Sequence, residues 1–210
     1  VQRVLFRSMT AICIIPLAIS VIISFISSTS VSKESAEDLN LKQAEYVEND
    51  FNNQMTANLR AMEQVSLALS TREFIKDATD TYKFDAMVEQ LQSVDEKFDD
   101  GNSTVVTGLD GQNLARSKGD FTNIFEREYF QIAIMGYANL SDVSISKTTG
   151  ARIIVPAVPV FDDDKSTVIG VVTRNYNIGY LHDLLAEEAS KGQNIYIIDK
   201  NGQVVAISSK

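Results

Sequence analysis

The most informative part of the sequence is IIVPAVPVF at residues 153–161, followed after a short turn by VIGVVTRN at residues 168–175. Both runs are rich in Val and Ile, and each has the length of an ordinary β-strand. The residues between them include DDDK at 162–165, which is typical of a solvated turn. This acidic run lacks the spacing and the distal Glu of a calcium-binding loop. We therefore expect two β-strands joined by an acidic turn.

A hairpin pattern occurs twice, once on each side of these strands. Residues 104–107 (TVVT) are followed by the turn signal DG at 110–111, and residues 194–199 (NIYIID) are followed by NG at 201–202. From each turn onward the two copies share the pattern D/N-G-Q-x-x-A-x-S. Such a repeat predicts one complete module and the opening of a second, similar one. Because a lone hairpin is not a stable domain, we expect the given sequence to end inside that second module.

The first third of the chain is helical in pattern. Residues 35–69 contain neither Gly nor Pro, and a second helical pattern covers residues 81–98, with a connecting helix expected at 178–189. A helix as long as the first must bury its apolar stripe against a sheet or a partner helix. Together with five expected strands, this order predicts an α+β fold, an antiparallel sheet with helices on one side or end. The stripe consists of Val47, Phe51, Met55, Leu59 and Met62.

The N-terminal residues differ from the rest in composition. Residues 8–32 carry no charge, and residues 11–26 (AICIIPLAISVIISFI) are nearly all apolar. This is about the length that a helix needs to cross a bilayer. Arg3 and Arg7 precede the segment, so the positive-inside tendency predicts that the residues after about 30 lie outside the cytoplasm. A cleaved signal peptide is the alternative, supported by the basic start and the small residues after the apolar run.

Composition argues against several classes of function. The 210 residues carry a net charge of −9, whereas nucleic-acid binding needs clustered Lys and Arg. The single cysteine, Cys13, and the single histidine, His182, leave too few ligands for a zinc or iron–sulfur centre, so no metal or cofactor is expected. His182 is interpreted as structural or solvent-facing. The sequence also lacks a nucleophile elbow, a phosphate-binding glycine loop and a zinc-protease motif. We therefore expect a binding module rather than an enzyme.

Several short motifs follow an order that resembles a known family. They are REYF at 127–130, SD at 141–142, SKTTG at 146–150, VPAVPV at 155–160 and VIGV at 168–171. With the apolar segment and the repeat, this order is similar to that of the double Cache (dCache) sensor domains of bacterial chemoreceptors and related membrane kinases. The resemblance implies two stacked PAS-like modules beside a long N-terminal helix, with a small-molecule site in the membrane-distal module.

The resemblance and the composition together divide the chain into six predicted segments. The sensor portion would lie outside the cytoplasm, and these 210 residues would cross the bacterial inner membrane once. The segments are a cytoplasmic N-terminus at 1–7, a transmembrane helix at 8–32, a long helix and helical lead-in at 33–99, a membrane-distal PAS-like ligand-binding module at 100–177, a connecting helix at 178–192, and the first hairpin of a membrane-proximal PAS-like module at 193–210.

The resemblance also implies a set of ligand-binding residues. In the amino-acid-binding branch of the family, an Arg and aromatic residues hold the ligand carboxylate, and acidic residues hold its ammonium group. Arg127 matches the carboxylate anchor, Tyr129 and Phe130 replace the usual Trp and Tyr, and Asp142 matches one acidic position. The second acidic position is Asn175, which loses a charged hydrogen bond worth about 1.5–3 kcal/mol. We therefore expect an organic acid rather than an α-amino acid as the ligand.

Each of these residues also has a simpler interpretation. Arg127 suits a surface ion pair with a neighbouring carboxylate, and one of the two aromatic residues, expected in a strand or loop, should lie in the core. Asp142 suits a turn cap, and Asn175 suits the end of a strand.

The sequence as a whole predicts the sensing portion of a bacterial methyl-accepting chemotaxis protein, a homodimer with its long helices parallel. Ligand binding would favour one closure of the distal module, and the long helix would pass a displacement of about 1–2 Å to the membrane. Two alternatives remain, and a secreted enzyme is a more distant third. The same sensor could serve a histidine kinase or a diguanylate cyclase, or the protein could be a structural or adhesive surface protein without a ligand site.

Overall fold

The computed structural model describes residues 2–189, 193–199 and 202–208, and for residues 2–18 it describes the backbone alone. The chain divides into two compact units, residues 1–49 and residues 50–210. The first unit is helical throughout its described residues. The second contains the remaining helices and all the described strands.

Five helices lie in the described residues. The predicted second helix is confirmed at Thr81–Phe98. The carboxylate of Asp80 caps its N-terminus by accepting hydrogen bonds from the backbone N–H groups of Tyr82 and Lys83. The long Gly- and Pro-free helix is also confirmed, although it begins much earlier than its amphipathic stripe. The helices are α1 (Gln2–Leu67), α2 (Leu69–Lys76), α3 (Thr81–Phe98), α4 (Glu128–Ile134) and α5 (Tyr180–Glu188).

Nine strands lie in the described residues, where five were expected. Residues 153–161 were expected as one strand, but they divide at Val155 into two. The strands are β1 (Ser103–Gly108), β2 (Asn113–Arg116), β3 (Asn139–Leu140), β4 (Ser144–Ile145), β5 (Arg152–Ile154), β6 (Pro156–Phe161), β7 (Val168–Asn177), β8 (Tyr196–Ile198) and β9 (Val204–Ile207).

Strand β7 is the centre of a seven-stranded antiparallel sheet. One of its edges pairs with β1, which in turn pairs with β2. Its other edge pairs with β5 near Tyr176 and with β6 from Thr173 to Val168. Strand β4 extends the sheet beyond β5, and β3 extends it beyond β6. The ten residues of β7 therefore hold both halves of the sheet together.

Helices cover both faces of this sheet. On one face, Met62 of α1, Phe74 of α2 and Leu91 of α3 pack with Val106 and Val172. The partly buried Leu59 packs against the same cluster, so the stripe of α1 is used at least in part within its own chain. Successive strand residues point to opposite faces. The other face accordingly presents Val171 and Ala157 to α4, where they pack with Tyr129, Phe130 and Ala133.

The repeated hairpins have the same turn geometry. Gly111 and Gly202 both have positive φ, 78° and 77°, and each amide donates to the carbonyl three residues earlier at 3.0 Å. The residues that align in the two copies also make equivalent backbone bonds, from Ser117 to Thr104 and from Ser208 to Ile195. The sequence repeat is thus a structural repeat over the described part of both hairpins.

The structure bears on two further predictions, those for residues 128–134 and for residues 8–32. Residues 128–134 form helix α4 rather than a strand or loop, because Tyr129, Phe130 and Ala133 together bury one helical face against the sheet. The predicted transmembrane segment at 8–32 lies partly outside the described side chains, which begin at residue 19. Among the described residues, no helix combines the length and the apolar character required to span a bilayer.

Candidate ligand-binding site

A small cavity lies between the sheet and the segment that leads into α4. The room left inside it for water is about 20 Å³, which is about enough for one molecule. Its floor is formed by strands, and its walls are formed by residues before and at the start of α4 and by β4 with the turn that follows. The lining residues are Val105, Asn113, Arg116, Thr122, Ile124, Arg127, Tyr129, Ser144, Ile145, Ser146, Lys147, Thr148, Ile153, Thr173 and Asn175.

The turn of the first hairpin positions the wall that carries Arg127. Gly111 accepts a hydrogen bond at its carbonyl from the amide of Ile124 at 2.8 Å, and Ile124 in turn accepts from the amide of Arg127 at 2.9 Å. A Cβ at Gly111 would lie 2.6 Å from the Cα of Phe125. Glycine is therefore required here both by its positive φ and by the close approach of the neighbouring backbone.

Arg127 lies at the boundary between the cavity and the protein surface. It immediately precedes α4, it is half-buried, and its Nη2 donates to the carbonyl of Ile145 at 3.1 Å. The neighbouring Tyr129 is only 7% exposed. Burial raises the pKa of the Tyr129 hydroxyl, and the positive charges of Arg127 and Arg116 partly oppose that rise. The two guanidinium groups thus act on the same buried wall.

Arg116 is the most buried cation of the cavity, with 6% exposure. Its Nε and Nη1 donate to the carbonyls of Lys118 and Asp120, both at 2.7 Å, and its Nη2 donates to the hydroxyls of Ser103 and Thr148 at 3.1 and 3.4 Å. Burial lowers the pKa of Arg116, against the effect of the Asp120 charge. No ion pair joins it to a described carboxylate. A buried guanidinium with no carboxylate in direct contact is unusual in a folded protein.

The cavity has a strongly one-sided charge. Arg116, Arg127 and Lys147 line it, and Lys147 donates from Nζ to the carbonyl of Asn123 at 2.8 Å. Among the described lining residues, none is Asp or Glu, and eight are neutral polar residues, Tyr129 included. The arrangement favours an anion and offers it several hydrogen-bond donors.

Asp142 lies in a different place from the cavity. It lines an adjacent open depression of about 390 Å³, together with Glu126 and Glu128. Arg127, Tyr129 and Ser144 belong to both linings, so they form the boundary between the acidic depression and the basic cavity. Within the described residues, no three His, Cys, Asp or Glu side chains are grouped so that they could hold a metal ion.

Phe130 and Asn175 differ in their relation to the cavity. Phe130 is fully buried in the core under α4, with its ring centroid 6.2 Å from that of Phe125, and it does not line the cavity. Asn175 lines the cavity and donates from Nδ2 to the hydroxyl of Ser103 at 3.4 Å. The structure therefore brings together three of the five predicted residues, Arg127, Tyr129 and Asn175.

The prediction from sequence did not include Arg116 or Lys147. Lys147 belongs to the quoted SKTTG turn, but nothing in the turn itself indicates a cavity. For Arg116 a usable signal was present in the repeat. Its equivalent in the second hairpin is Ile207, and Val204 is the equivalent of Asn113. Two strand positions are thus polar in the first hairpin and apolar in the second. This difference indicates that the first hairpin lines a polar site.

The comparison with family models gives one match, described as a Cache domain, over residues 27–210. The sensor domain of the V. cholerae histidine kinase DctB is similar in structure, with a TM-score of 0.71 and 18% identity, covering 81% of this chain and 67% of that chain. The comparison with curated proteins gave no match.

Two further solved structures represent other receptor types. The ligand-binding domain of the Campylobacter jejuni chemoreceptor Tlp3 in complex with L-norvaline has a TM-score of 0.62 at 15% identity, over 81% of this chain and 66% of that chain. A domain of a putative sensory box/GGDEF family protein from Vibrio parahaemolyticus has a TM-score of 0.68 at 15% identity, over 83% and 71%. At these identities the likeness shows the fold alone. The chain spans about two thirds of the length of these structures.

Proposed function

The chain belongs to the Cache domain family, whose members are extracytoplasmic sensors of membrane receptors, and from this we propose that it detects a small carboxylate anion in the cavity beside α4. A Cache domain senses and does not catalyse, so residues 27–210 form a sensor module. The finer proposals concern the ligand, the residues that hold it and the receptor to which the sensor belongs.

The observation that carries the proposal is the charge of the cavity. Arg116, Arg127 and Lys147 converge on a site whose described lining contains no carboxylate. Arg116 is buried without an ion pair to a described carboxylate, and an anionic ligand would give it an anion in direct contact. The planar guanidinium groups of Arg116 and Arg127 match the geometry of a carboxylate.

The same lining supports an organic acid over an α-amino acid. An ammonium group would need a carboxylate partner in the cavity, but Asn175 offers an amide there and Asp142 lies in the adjacent depression. A cation placed between three positive charges would also be repelled. A ligand with carboxylate groups alone meets neither difficulty.

The cavity must widen to admit such a ligand, and its cations already hold the wall that must move. Arg127 bonds to the carbonyl of Ile145 in β4, and Arg116 bonds to the hydroxyl of Thr148 in the turn after β4. A carboxylate is a stronger acceptor than either of these neutral groups. Ligand binding would therefore exchange these bonds for bonds to the ligand and favour a different arrangement of the wall.

Titration calorimetry with the purified protein tests the proposal. We expect succinate to bind and L-isoleucine to bind more weakly or not at all. Replacing Arg127 by Ala should weaken succinate binding by about ten- to hundredfold, because one charge-assisted hydrogen bond contributes about 1.5–3 kcal/mol. Lys118→Ala is the matched control, since Lys118 is an exposed cation that does not line the cavity.

Two outcomes would contradict the proposal. Binding of L-isoleucine without any binding of succinate or other organic acids would show that the ligand class is wrong. Equal affinities for succinate in the Arg127→Ala and Lys118→Ala proteins would show that the cavity beside α4 is not the site. Circular dichroism of both variants establishes that each remains folded.

The receptor type is a separate proposal. We favour a chemotaxis receptor of the bacterial inner membrane, anchored by residues 8–32 and acting as a parallel homodimer. Its solved relatives in fold include a chemoreceptor, a histidine kinase and a GGDEF family protein, so a kinase or cyclase output is the alternative. A heptad-rich coiled coil in the signalling part of the receptor would support chemotaxis, whereas catalytic motifs there would support the alternative. Crosslinking in membranes tests the dimer.

A further inference from the structure

Two adjacent residue pairs of the sheet lie on opposite faces of it. In the antiparallel register of β1 and β7, Ser103 is opposite Asn175 and Thr104 is opposite Arg174. Consecutive residues of a strand point to opposite faces, so the first pair lies on the side of the cavity and the second on the side of the long helices. At these four residues, a single layer of β-sheet therefore separates the cavity from α1.

On the cavity side, the hydroxyl of Ser103 joins two residues of the lining. It accepts a hydrogen bond from Nδ2 of Asn175 at 3.4 Å and another from Nη2 of Arg116 at 3.1 Å. Ser103 is only 7% exposed, so water competes little with these bonds. A ligand that draws Arg116 or Asn175 toward itself must disturb this hydroxyl.

On the helix side, Arg174 is fully buried and connects three elements. Its Nη2 donates to Asp100 at 2.7 Å, just after α3, and its Nη1 donates to the side-chain oxygen of Asn58 in α1 at 3.3 Å. Thr104 donates from its hydroxyl to Asp95 of α3 at 2.7 Å. The pair of Thr104 and Arg174 thus links the sheet to both α1 and α3.

The guanidinium of Arg174 does not use all its hydrogen-bond donors, so it could adopt a second set of hydrogen bonds. The Nε–H has no hydrogen-bond partner, although Oδ1 of Asp95 lies only 3.4 Å away. The carboxylates of Asp95 and Asp100 therefore flank one guanidinium, and of these two only Asp100 accepts hydrogen bonds from it. A buried ion pair of this kind is often no more stabilising than apolar residues of the same volume, so stability alone is a weak reason for an Arg at this position.

We propose that Arg174 is the positioning residue that couples the cavity to helix α1, through Ser103 and Asn175 on one face of the sheet and Asn58 on the other. A shift of Asn175 toward a ligand moves the adjacent Arg174 and changes its bonds to Asp100 and Asn58. Because coupling between two sites acts in both directions, a change at Asn58 should also alter the cavity. The inference rests on the proposed function only in that an anion occupies the cavity during signalling.

Nuclear magnetic resonance of the unliganded protein tests this coupling. Asn58→Ala removes an acceptor of Arg174 on α1, and Asn53→Ala is the control, since Asn53 is an exposed residue of the same helix. We expect Asn58→Ala to shift the side-chain amide signals of Asn175 and the Nε–H signal of Arg116, and Asn53→Ala to leave both unchanged. Equal spectra of the two variants at these signals would overturn the proposal.

A second comparison separates coupling from general loss of structure. In an Arg174→Lys background, which keeps the charge but not the forked geometry, Asn58→Ala should no longer shift the Asn175 signals. Persistence of the full shift in that background would show that Arg174 does not transmit it. Neither measurement uses a ligand, so a failure of succinate to bind would reject the proposed function and leave this inference to be decided separately.

Discussion

The close approach of Phe125 to Gly111 gives a prediction for which the repeat supplies a matched control. Gly111 has a φ of 78°, and a Cβ on it would lie 2.6 Å from the Cα of Phe125. Gly202, its equivalent in the second hairpin, has a φ of 77° and no atom within 4 Å of an added Cβ. The substitutions Gly111→Ala and Gly202→Ala therefore share their backbone strain and differ in steric overlap.

The magnitude follows from cancelling the shared contributions. An alanine in the left-handed region costs about 1–2 kcal/mol, and the reduced freedom of the unfolded chain returns about 0.4–1 kcal/mol, equally for both variants. Overlap with a packed backbone adds about 1–3 kcal/mol for Gly111→Ala alone. We therefore expect the Gly111 variant to lose about 1–3 kcal/mol more unfolding free energy than the Gly202 variant. The corresponding difference in Tm is about 2–12 °C.

Urea denaturation followed by circular dichroism measures this difference. Gly101→Ala is a second control, because Gly101 has a φ of 71°, lies beside the first hairpin and has open space around it. If Gly111→Ala is no less stable than Gly101→Ala and Gly202→Ala, the backbone of Phe125 does not press against the turn. The structural account of how Arg127 is positioned would then be refuted.

Two further predictions concern charge. Asn175→Asp should restore a partner for an ammonium group and change the ratio of L-isoleucine to succinate affinity by about tenfold or more in favour of the amino acid, measured by calorimetry; an unchanged ratio would show that Asn175 does not set the selectivity. Hydrogen bonds from Lys76 lower the pKa values of Asp162 and Asp163, so the stability they confer is present at neutral pH and is lost as the pH falls from about 5 through those lowered pKa values. Lys76→Met should therefore flatten acid unfolding curves, and curves parallel to those of the native protein would contradict this.

Local patterns in the sequence were sufficient for the elements that depend on local physics. Asp80 caps α3 with its own side chain, and the period of apolar residues continues to Phe98, so both limits of that helix were predicted. The two hairpin turns were predicted because glycine at 111 and 202 is the residue that a positive φ demands. These features require no knowledge of distant residues.

The cavity could be predicted only in part, because its members come from distant positions. Arg127 was found through a motif, yet its neighbour Phe130 turned out to lie in the core, since α4 rotates successive residues by about 100°. Arg116 is brought beside Thr148 by the sheet, across 32 positions of sequence. A local sequence pattern cannot predict this contact. It also cannot predict that Arg127 separates Asp142 from the cavity.

The central position of β7 has a consequence for the order in which the chain can fold. Strands β1, β5 and β6 all pair with it, and it is the last strand of the sheet to emerge during synthesis. Until residue 177 has been made, β1 and β6 each present an unpaired edge, and such edges are prone to aggregation. The β6–β7 hairpin closes a short loop, whereas β1 must find β7 across about sixty residues of intervening chain. Until then, helices α1 to α3 lack part of the sheet on which they pack, so apolar side chains of that face stay exposed to water.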